Sequence, residues 1–283
     1  MTGKTTLKTI RGLKERGEKI AVLTAYDYST AKYLDEAGAD IILVGDSLAN
    51  VALGYSSTNC VSMEEMLIFT GAVSRGVSRA FVIGDMPFMS CNLSVETALE
   101  NAGRMIKSGA NAVKIENCND YLLEVIERLV SSGIPVLGHL GYTPQSENTL
   151  GGHYVQGKSM AAAEEILEKA KMLESAGVFA IVLEMIPQEC AKYITENLTV
   201  PTIGIGSGHY CSGQVMVSDD MLGKFTDYKP KFVRHYADLK GIITDAAREY
   251  CSDVKSGNYP NDEEVFHLNN EETEKLKSRE LLC

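Results

Sequence analysis

The chain alternates between amphipathic segments and short runs that are apolar at almost every position. In three places a helical stretch ends at a glycine, a β-branched run follows and an acidic residue closes it; these are residues 37–46, 108–117 and 176–185. Gly38, Gly109 and Gly177 suit the position just after a helix, where a positive φ is needed. Continuously apolar runs of this length are typical of strands that are buried on both faces.

Further apolar runs at residues 20–27, 80–87, 135–141, 201–208 and 214–217 bring the candidate strands to eight. Helical stretches lie between most of them, and Ser62 with Glu65 predicts a capping box at the start of one. Strands that alternate with helices indicate right-handed βαβ units. We therefore predict a single-domain α/β fold, the (β/α)8 TIM barrel. The last two strands are only about a dozen residues apart, which is short for a crossover helix.

The 283 residues suit one such barrel, which commonly takes about 250. We predict that residues 1–268 form the catalytic barrel domain, with a short basic helix leading into it. Residues 269–283 are polar and charged, and we expect a tail that is either a surface helix or a frayed end.

The formal net charge of -11 argues against nucleic acid or an anionic membrane as the main partner. No apolar run approaches the roughly 20 residues of a membrane span. The 7 cysteines are odd in number and include no CxxC pair, which favours a reducing compartment. We expect a cytoplasmic protein.

Polar residues collect where the predicted strands end, which in a barrel is where catalytic side chains project. Lys114 and Glu116 are two positions apart and so share one face of a strand. The carboxylates of Asp46, Asp85 and Glu116 around the single lysine, Lys114, leave surplus negative charge. A divalent cation resolves this surplus, and hard oxygen ligands favour Mg2+. The six residues are Asp46, Asp85, Lys114, Glu116, His139 and Glu184.

Each of these residues also has a structural interpretation. Asp46 and Asp85 could cap turns, His139 could be a hydrogen-bonded structural histidine, and Glu184 could pair with a nearby cation. All of these explanations would have to hold at the same end of one barrel, so their joint occurrence favours a functional site.

Two glycine-rich segments have competing interpretations. Residues 204–208 (GIGSG) follow a strand where barrels often bind phosphate, but the spacing is neither GxGxxG nor a P-loop. Residues 138–158 are too many for an ordinary loop, which indicates a lid or substrate loop. A solvated surface insertion is the alternative. His153, within that loop, receives no role.

Eight short motifs occur in order along the chain: TAYDYSTAK (24–32), VGDSL (44–48), GDMPF (84–88), VKIE (113–116), GHLGYTPQS (138–146), VQGK (155–158), VLEMIP (182–187) and GIGSG (204–208). Together they resemble those of the ketopantoate hydroxymethyltransferase family, and the resemblance covers residues 5–267. One segment departs from the family pattern: residues 54–62 read GYSSTNCVS where GYDSTLPVT is expected, which affects the shape of that loop more than the chemistry.

The resemblance implies a barrel of the phosphoenolpyruvate/pyruvate type that binds one Mg2+ per subunit. It implies transfer of a hydroxymethyl group from 5,10-methylenetetrahydrofolate to 3-methyl-2-oxobutanoate. The product is ketopantoate, a precursor of pantothenate, and the implied intermediate is a metal-stabilised enolate. It also implies a homo-oligomer, typically a decamer of two pentamers.

Carried over by motif, the resemblance assigns a role to each candidate residue. Glu184 is the expected general base, and its apolar flank and nearby carboxylates should raise its pKa. Lys114 and His139 complete the implied catalytic group. The implied metal-site residues are Asp46, Asp85 and Glu116, and the implied substrate contacts are Asp46, Ser47, Asp85, Lys114 and His139.

Two other functions remain open from the sequence. A lyase or mutase of the same barrel type would act on a pyruvate-like acid without folate. A non-catalytic binding protein would retain the barrel without the chemistry, although the intact set of polar residues argues against it.

Overall fold

A computed structural model of the chain describes residues 3–280. These residues form two compact units, residues 3–236 and residues 237–280. The domain boundary expected at residue 268 stays a prediction. Residues 1, 2 and 281–283, which belong to the predicted lead-in and tail, lie outside the described residues.

The first unit is a closed barrel of eight parallel strands in chain order, with β8 pairing back onto β1. All eight predicted strands are present, and the predicted (β/α)8 fold is confirmed. The strands are β1 (Ile20–Thr24), β2 (Ile41–Val44), β3 (Phe81–Asp85), β4 (Ala112–Glu116), β5 (Val136–Gly141), β6 (Ala180–Glu184), β7 (Thr202–Ile205) and β8 (Gly213–Met216).

Helices precede the barrel, connect most of its strands and make up the second unit. The predicted capping box is present: the Ser62 hydroxyl accepts from the Glu65 N–H at 3.2 Å, and the Ser62 N–H donates to the Glu65 carboxylate at 2.7 Å. The helices are α1 (Leu7–Glu15), α2 (Tyr28–Glu36), α3 (Leu48–Val51), α4 (Met63–Gly76), α5 (Val95–Lys107), α6 (Asp120–Ser131), α7 (Glu147–Leu150), α8 (Met160–Ser175), α9 (Gln188–Glu196), α10 (Ser218–Met221), α11 (Leu239–Ser256) and α12 (Asn270–Glu280).

The apolar strand residues divide between two cores because successive side chains point to opposite faces of a strand. In β2, Ile41 and Leu43 belong to the core inside the barrel. Ile42 and Val44 belong to the core between the strands and the helices. Burial on both faces explains why the strands read as continuous apolar runs.

The connection from β7 to β8 contains no helix, and this explains why the two strands are only about a dozen residues apart in the sequence. Gly206 and Gly208 both have positive φ in this connection. The second unit contains α11 and α12, so most of the predicted tail is a helix. Across residues 3–280, no helix combines the length and the apolar composition that crossing a bilayer requires.

Candidate active site

The alternation of side chains along four neighbouring strands carries polar groups into one end of the barrel. Inside the barrel, each strand continues from an apolar residue to a polar one two positions later. The pairs are Ile83 and Asp85 in β3, Ala112 and Lys114 in β4, Leu137 and His139 in β5, and Val182 and Glu184 in β6, with Glu116 two residues beyond Lys114. The carboxyl ends of parallel strands meet at one end of the barrel, so these groups converge.

The ammonium group of Lys114 lies among buried carboxylates. Its Nζ donates to Asp85 Oδ2 at 2.5 Å and to Glu116 Oε1 at 3.1 Å. Burial alone would lower the pKa of Lys114, but the charges of Asp85, Glu116 and Asp46 raise it well above its ordinary value. Lys114 is therefore positively charged at neutral pH. These two contacts use two of its three N–H donors.

His139 joins two carboxylates from neighbouring strands. Its Nδ1 lies 3.1 Å from Glu116 Oε1, and its Nε2 lies 3.2 Å from Glu184 Oε2. Burial opposes protonation, but the charge of Glu116, its hydrogen bond and the nearby Glu184 carboxylate raise the pKa of His139 to about 9. Although burial disfavours a charged Glu116, Lys114 and His139 lower its pKa to about 2. A buried imidazolium is therefore bonded to Glu116 and lies beside the Glu184 carboxylate at neutral pH.

Gln145, which sequence reasoning left without a role, links Asp46 to Glu116. Its side-chain amide donates to Asp46 Oδ2 at 2.9 Å and to the Met86 carbonyl at 3.0 Å. Its backbone N–H donates to Glu116 Oε2 at 3.1 Å. The available signal was its place in the TPQS segment, which directly follows the strand that carries His139.

Asp46 and Asp85 are the residues that fit a divalent cation. The Asp46 N–H donates to Asp85 Oδ2 at 3.1 Å, and Asp85 Oδ1 is buried without a hydrogen-bond partner in the described part of the chain. Burial and the neighbouring Asp85 charge raise the pKa of Asp46 well above its ordinary value. Such a shift is expected where two carboxylates share a site without a cation between them.

The protein alone does not enclose such an ion. Within residues 3–280, no group of three or more His, Cys, Asp or Glu side chains is arranged to hold a metal. Both oxygens of Glu116 are already bonded to protein donors, so its assignment to the metal stays a prediction. A bound cation would have Asp46 and Asp85 as its protein ligands. Water or substrate would supply the remaining ligands, as is common for Mg2+.

Ser47 lies next to Asp46 and is held from the opposite side by Tyr26. The Tyr26 hydroxyl and Ser47 Oγ are 2.8 Å apart. Ser47 also lines the main cavity of the barrel, together with Asp46 and Asp85.

Two residues with positive φ directly follow the carboxylates that lie beside His139. Asn117, after Glu116, has a φ of 76°, and Met185, after Glu184, has a φ of 48°. Asparagine tolerates this conformation, but an unbranched apolar residue rarely adopts it. Strain of this kind costs of order 1–3 kcal/mol and is often found at functional sites.

The polar cluster lines a cavity of about 1740 Å³ at the carboxyl end of the barrel. All seven predicted site residues line this cavity: Asp46, Ser47, Asp85, Lys114, Glu116, His139 and Glu184. The structure therefore brings together residues that are spread over almost 140 positions of the chain, from Asp46 to Glu184, as predicted.

Comparison with known proteins agrees with the motif resemblance. The family model described as ketopantoate hydroxymethyltransferase matches residues 4–262. The chain belongs to the ketopantoate hydroxymethyltransferase family. A 3-methyl-2-oxobutanoate hydroxymethyltransferase of Thermoanaerobacter sp. is 51% identical over 273 residues, covering 96% of this chain and 99% of the relative. The enzyme of that name from Dehalococcoides mccartyi is 52% identical over 275 residues, covering 97% and 98%. The family predicted from the motifs is confirmed.

Solved structures with similar folds also agree with the predicted type of barrel. A phosphonopyruvate hydrolase, in complex with oxalate and Mg2+, has a TM-score of 0.60 at 13% identity, covering 98% of this chain and 96% of its own. A 2,3-dimethylmalate lyase, described as a member of the PEP mutase/isocitrate lyase superfamily, has a TM-score of 0.58 at 16% identity and covers 98% and 99%. At these identities the likeness shows the fold alone.

The segment that departs from the family pattern contacts the site through Gln145. Residues 58–60 form a short 3-10 helix, and the Asn59 side-chain amide donates to the Gln145 carbonyl at 3.3 Å. Ser56, Ser57 and Thr58 line the cavity. The segment therefore helps to position the group that links Asp46 to Glu116.

The GIGSG segment has a structural explanation. The Ser207 hydroxyl donates to the Leu183 carbonyl at 2.8 Å and accepts from the Ile186 N–H at 3.1 Å. These bonds tie β7 to the chain on both sides of Glu184, so the serine supports the end of β6.

His153, in the long loop after β5, packs on Tyr142. The Tyr142 hydroxyl lies 3.3 Å from His153 Nε2, and the two ring centroids are 4.7 Å apart. Both residues line the cavity. This part of the loop therefore forms a cavity wall, in keeping with the predicted substrate loop.

Proposed function

We propose that this chain transfers a hydroxymethyl group from 5,10-methylenetetrahydrofolate to 3-methyl-2-oxobutanoate, giving ketopantoate. The observation that carries the proposal is the set of three buried carboxylates, one partly exposed carboxylate and two buried cations at the cavity, in a chain of this family. If all six groups are ionised, two negative charges remain in excess. A divalent cation and an acid that can chelate it suit this arrangement.

Glu184 is the proposed general base for the C3 proton of the 2-oxo acid. It lines the cavity, and its side chain is 16% exposed, so a ligand can reach it. His139 Nε2 lies 3.2 Å from its carboxylate. A general base must lie within hydrogen-bond reach of the proton that it removes, and the place of Glu184 on the cavity wall allows this approach.

Lys114 is the proposed stabiliser of the negative charge that develops on the ketone oxygen. It is held rigidly by Asp85 and Glu116, and its third N–H donor can reach a ligand. A preorganised positive charge in a buried site stabilises a developing oxyanion more strongly than water does. The nucleophilic carbon of the resulting enolate then forms a C–C bond with the methylene carbon of the folate as one C–N bond of the folate breaks. Water supplies the hydroxyl group as the second C–N bond breaks, which releases ketopantoate and tetrahydrofolate.

Asp46 and Asp85 are the proposed ligands of Mg2+. When bound, this ion polarises the ketone and acidifies the adjacent C–H. Ser47, fixed by Tyr26, and the Lys114 ammonium are the proposed contacts to the 2-oxo acid. We further propose that the enzyme acts in the cytoplasm as a homo-oligomer.

An assay for ketopantoate formation, with and without the folate donor and Mg2+, tests the proposal. We expect product only when both are present. Turnover of a pyruvate-like acid without folate would favour a lyase or mutase instead. An Asp46→Asn variant is the matched test of the metal site, and we expect its Mg2+ affinity to fall at least tenfold. Unchanged affinity would place the metal elsewhere.

A further inference from the structure

The cavity is much larger than a small branched 2-oxo acid requires. Its volume is about 1740 Å³, whereas pockets for drug-sized ligands are typically about 300–1,000 Å³. The catalytic residues line one part of it. Much of the remaining wall comes from residues that follow β7 and β8, to which neither the motifs nor the mechanism assigns a role.

Asp220 is the half-buried carboxylate in this second part of the cavity. Within residues 3–280 its side chain has no hydrogen bond or ion pair. The adjacent Asp219 differs, because its carboxylate pairs with Lys224 at 2.8 Å and accepts from the Ser218 hydroxyl at 3.3 Å. Burial and the charge of Asp219 raise the pKa of Asp220 to about 6, so it is largely ionised at pH 7.5. A partly desolvated carboxylate on a cavity wall is free to accept hydrogen bonds from a ligand.

The position of Asp220 is fixed relative to the catalytic residues through β1. The Ser218 N–H at the start of α10 donates to Thr24 Oγ1 at 3.0 Å, which anchors α10 to the end of β1. Two residues after Thr24, Tyr26 bonds Ser47. Burial is the main cause of the raised pKa of Tyr26, and the charges of Asp219 and Asp220 add to it. Asp220 therefore lies within electrostatic range of the Ser47 side of the site.

Two aromatic side chains line the same cavity, Phe225 and Phe232. The Phe232 ring packs against Gly206 so closely that a Cβ at Gly206 would lie 2.7 Å from it. Both rings are partly exposed, and aromatic side chains on a cavity wall suit the stacking of a planar heterocycle.

We propose that Asp220 binds the pterin ring of the reduced folate and so determines the specificity for this co-substrate. The pterin presents a ring N–H beside an amino group, two parallel donors that match the two oxygens of a carboxylate. The Phe232 side of the cavity takes the flat face of the ring. This inference rests on the proposed function, because it assumes a folate co-substrate.

Direct binding measurements test the assignment without relying on turnover. Tetrahydrofolate and its 2-desamino-2-methyl analogue are titrated calorimetrically into the enzyme with Mg2+ and 3-methyl-2-oxobutanoate present. We expect Asp220→Asn to weaken tetrahydrofolate binding at least tenfold. We expect wild type to bind the analogue at least tenfold more weakly than tetrahydrofolate, and Asp220→Asn to bind both within about threefold. Asp227→Asn is the control, because it removes the same charge from an exposed residue of the cavity wall. We expect this variant to bind tetrahydrofolate with the affinity of wild type.

The outcomes separate this inference from the proposed function. If wild type makes ketopantoate and binds tetrahydrofolate but Asp220→Asn binds it equally well, the inference is wrong and the function stands. The inference is also wrong if Asp220→Asn weakens the binding of both ligands equally. A direct contact predicts a larger loss for tetrahydrofolate, because only tetrahydrofolate has the amino group that Asp220 binds. If wild type neither binds tetrahydrofolate nor makes ketopantoate, both proposals fail. Thermal unfolding of each variant verifies that it is folded.

Discussion

At the scale of single residues, His139 supplies one of the two positive charges that act on the buried carboxylates of the site. It lies between Glu116 and Glu184, and its pKa of about 9 makes it a permanent cation near neutral pH. Its positive charge, together with that of Lys114, allows several carboxylates to remain buried in one small volume. Without these two cations, burying the same acids would be prohibitively unfavourable.

Glu184→Gln should abolish deuterium exchange at C3 of 3-methyl-2-oxobutanoate, with a loss of at least a hundredfold. Removal of a positioned base typically costs about 10²–10⁴-fold. Mg2+-dependent substrate binding should remain, because the proposed metal ligands are on other strands. NMR detection of the exchange is the measurement, and Glu147→Gln, which changes another cavity carboxylate, is the control. Normal exchange in Glu184→Gln would exclude it as the base.

The ionisation of Asp35, which is not a residue of the site, predicts that the stability of the protein depends on pH. Its carboxylate accepts backbone N–H donors from Ser78, Arg79 and Ala80. Burial opposes ionisation, but these hydrogen bonds outweigh it and lower the pKa of Asp35. The folded pKa is below the unfolded value of about 3.9, so the stabilisation is complete above pH 4 and is lost as the pH falls through the folded pKa.

Asp35→Asn should therefore lower the free energy of unfolding by about 2 kcal/mol at pH 7, since hydrogen bonds to a charged group contribute about 1.5–3 kcal/mol. The difference from wild type should shrink as the pH approaches 3. Urea unfolding at both pH values measures it, with Asp262→Asn, an exposed carboxylate, as the control. A difference that stays constant with pH would contradict the role of the charge.

At the scale of elements, strand register decides which polar groups meet. Glu116 pairs with His139 across β4 and β5, and Gly141 pairs with Glu184 across β5 and β6. A shift of one residue in either pairing would turn the polar side chains toward the helices. The end of β5 is especially close to β6, because the Tyr142 N–H donates to the Glu184 carbonyl at 2.9 Å.

Gly141→Ala should disturb the base through this close approach. Gly141 has a φ of 97°, and an added Cβ would overlap the backbone oxygen of Glu184. Gly133→Ala is the matched control, since Gly133 has a φ of 85° but open space around it. The left-handed conformation alone costs about 1–2 kcal/mol.

Urea unfolding and C3 exchange distinguish the two glycines. We expect Gly133→Ala to lose about 1–2 kcal/mol of stability with a normal exchange rate. Gly141→Ala should lose more stability and should slow exchange at least tenfold. Equal effects of the two substitutions would show that the backbone conformation, and not the contact with Glu184, is the reason for glycine at position 141.

At the scale of the whole molecule, exposed apolar residues support the expected self-association. In α11, Ile243, Tyr250 and Val254 are 53%, 56% and 46% exposed, and their spacing places them on one face of the helix. Contiguous exposed apolar side chains often mark a protein interface. They do not indicate the number of subunits, so the decamer rests on the family resemblance.

Light scattering after size exclusion tests the oligomer. We expect wild type to elute as a particle of about ten subunit masses. A double variant, Ile243→Lys with Val254→Lys, should elute as a smaller particle because it places charges on the apolar face. Ser252→Lys, on the opposite face of the same helix, is the control and should assemble normally. A monomeric wild type would contradict the prediction.

The barrel and the family could be predicted from the amino-acid sequence alone. Strands buried on both faces read as continuous apolar runs, and Gly38, Gly109 and Gly177 marked the helix ends with the positive φ values that the structure has. Lys114 and Glu116 are two positions apart, so strand geometry alone predicted that their side chains lie on the same face of β4. For the same reason, the polar residues could be placed at one end of the barrel before the fold was known.

The hydrogen-bond and ion-pair partners of the site residues could be seen only in the folded chain. Gln145 reaches Asp46 and Glu116 from a loop, and His139 lies between two carboxylates on different strands. Among residues 3–280, Asp219 pairs with Lys224, whereas the Asp220 side chain on the cavity wall has no partner. These relations depend on strand register and on the paths of loops through space. Neither leaves a periodic signal along the chain, because the contacts form between residues that are distant in sequence.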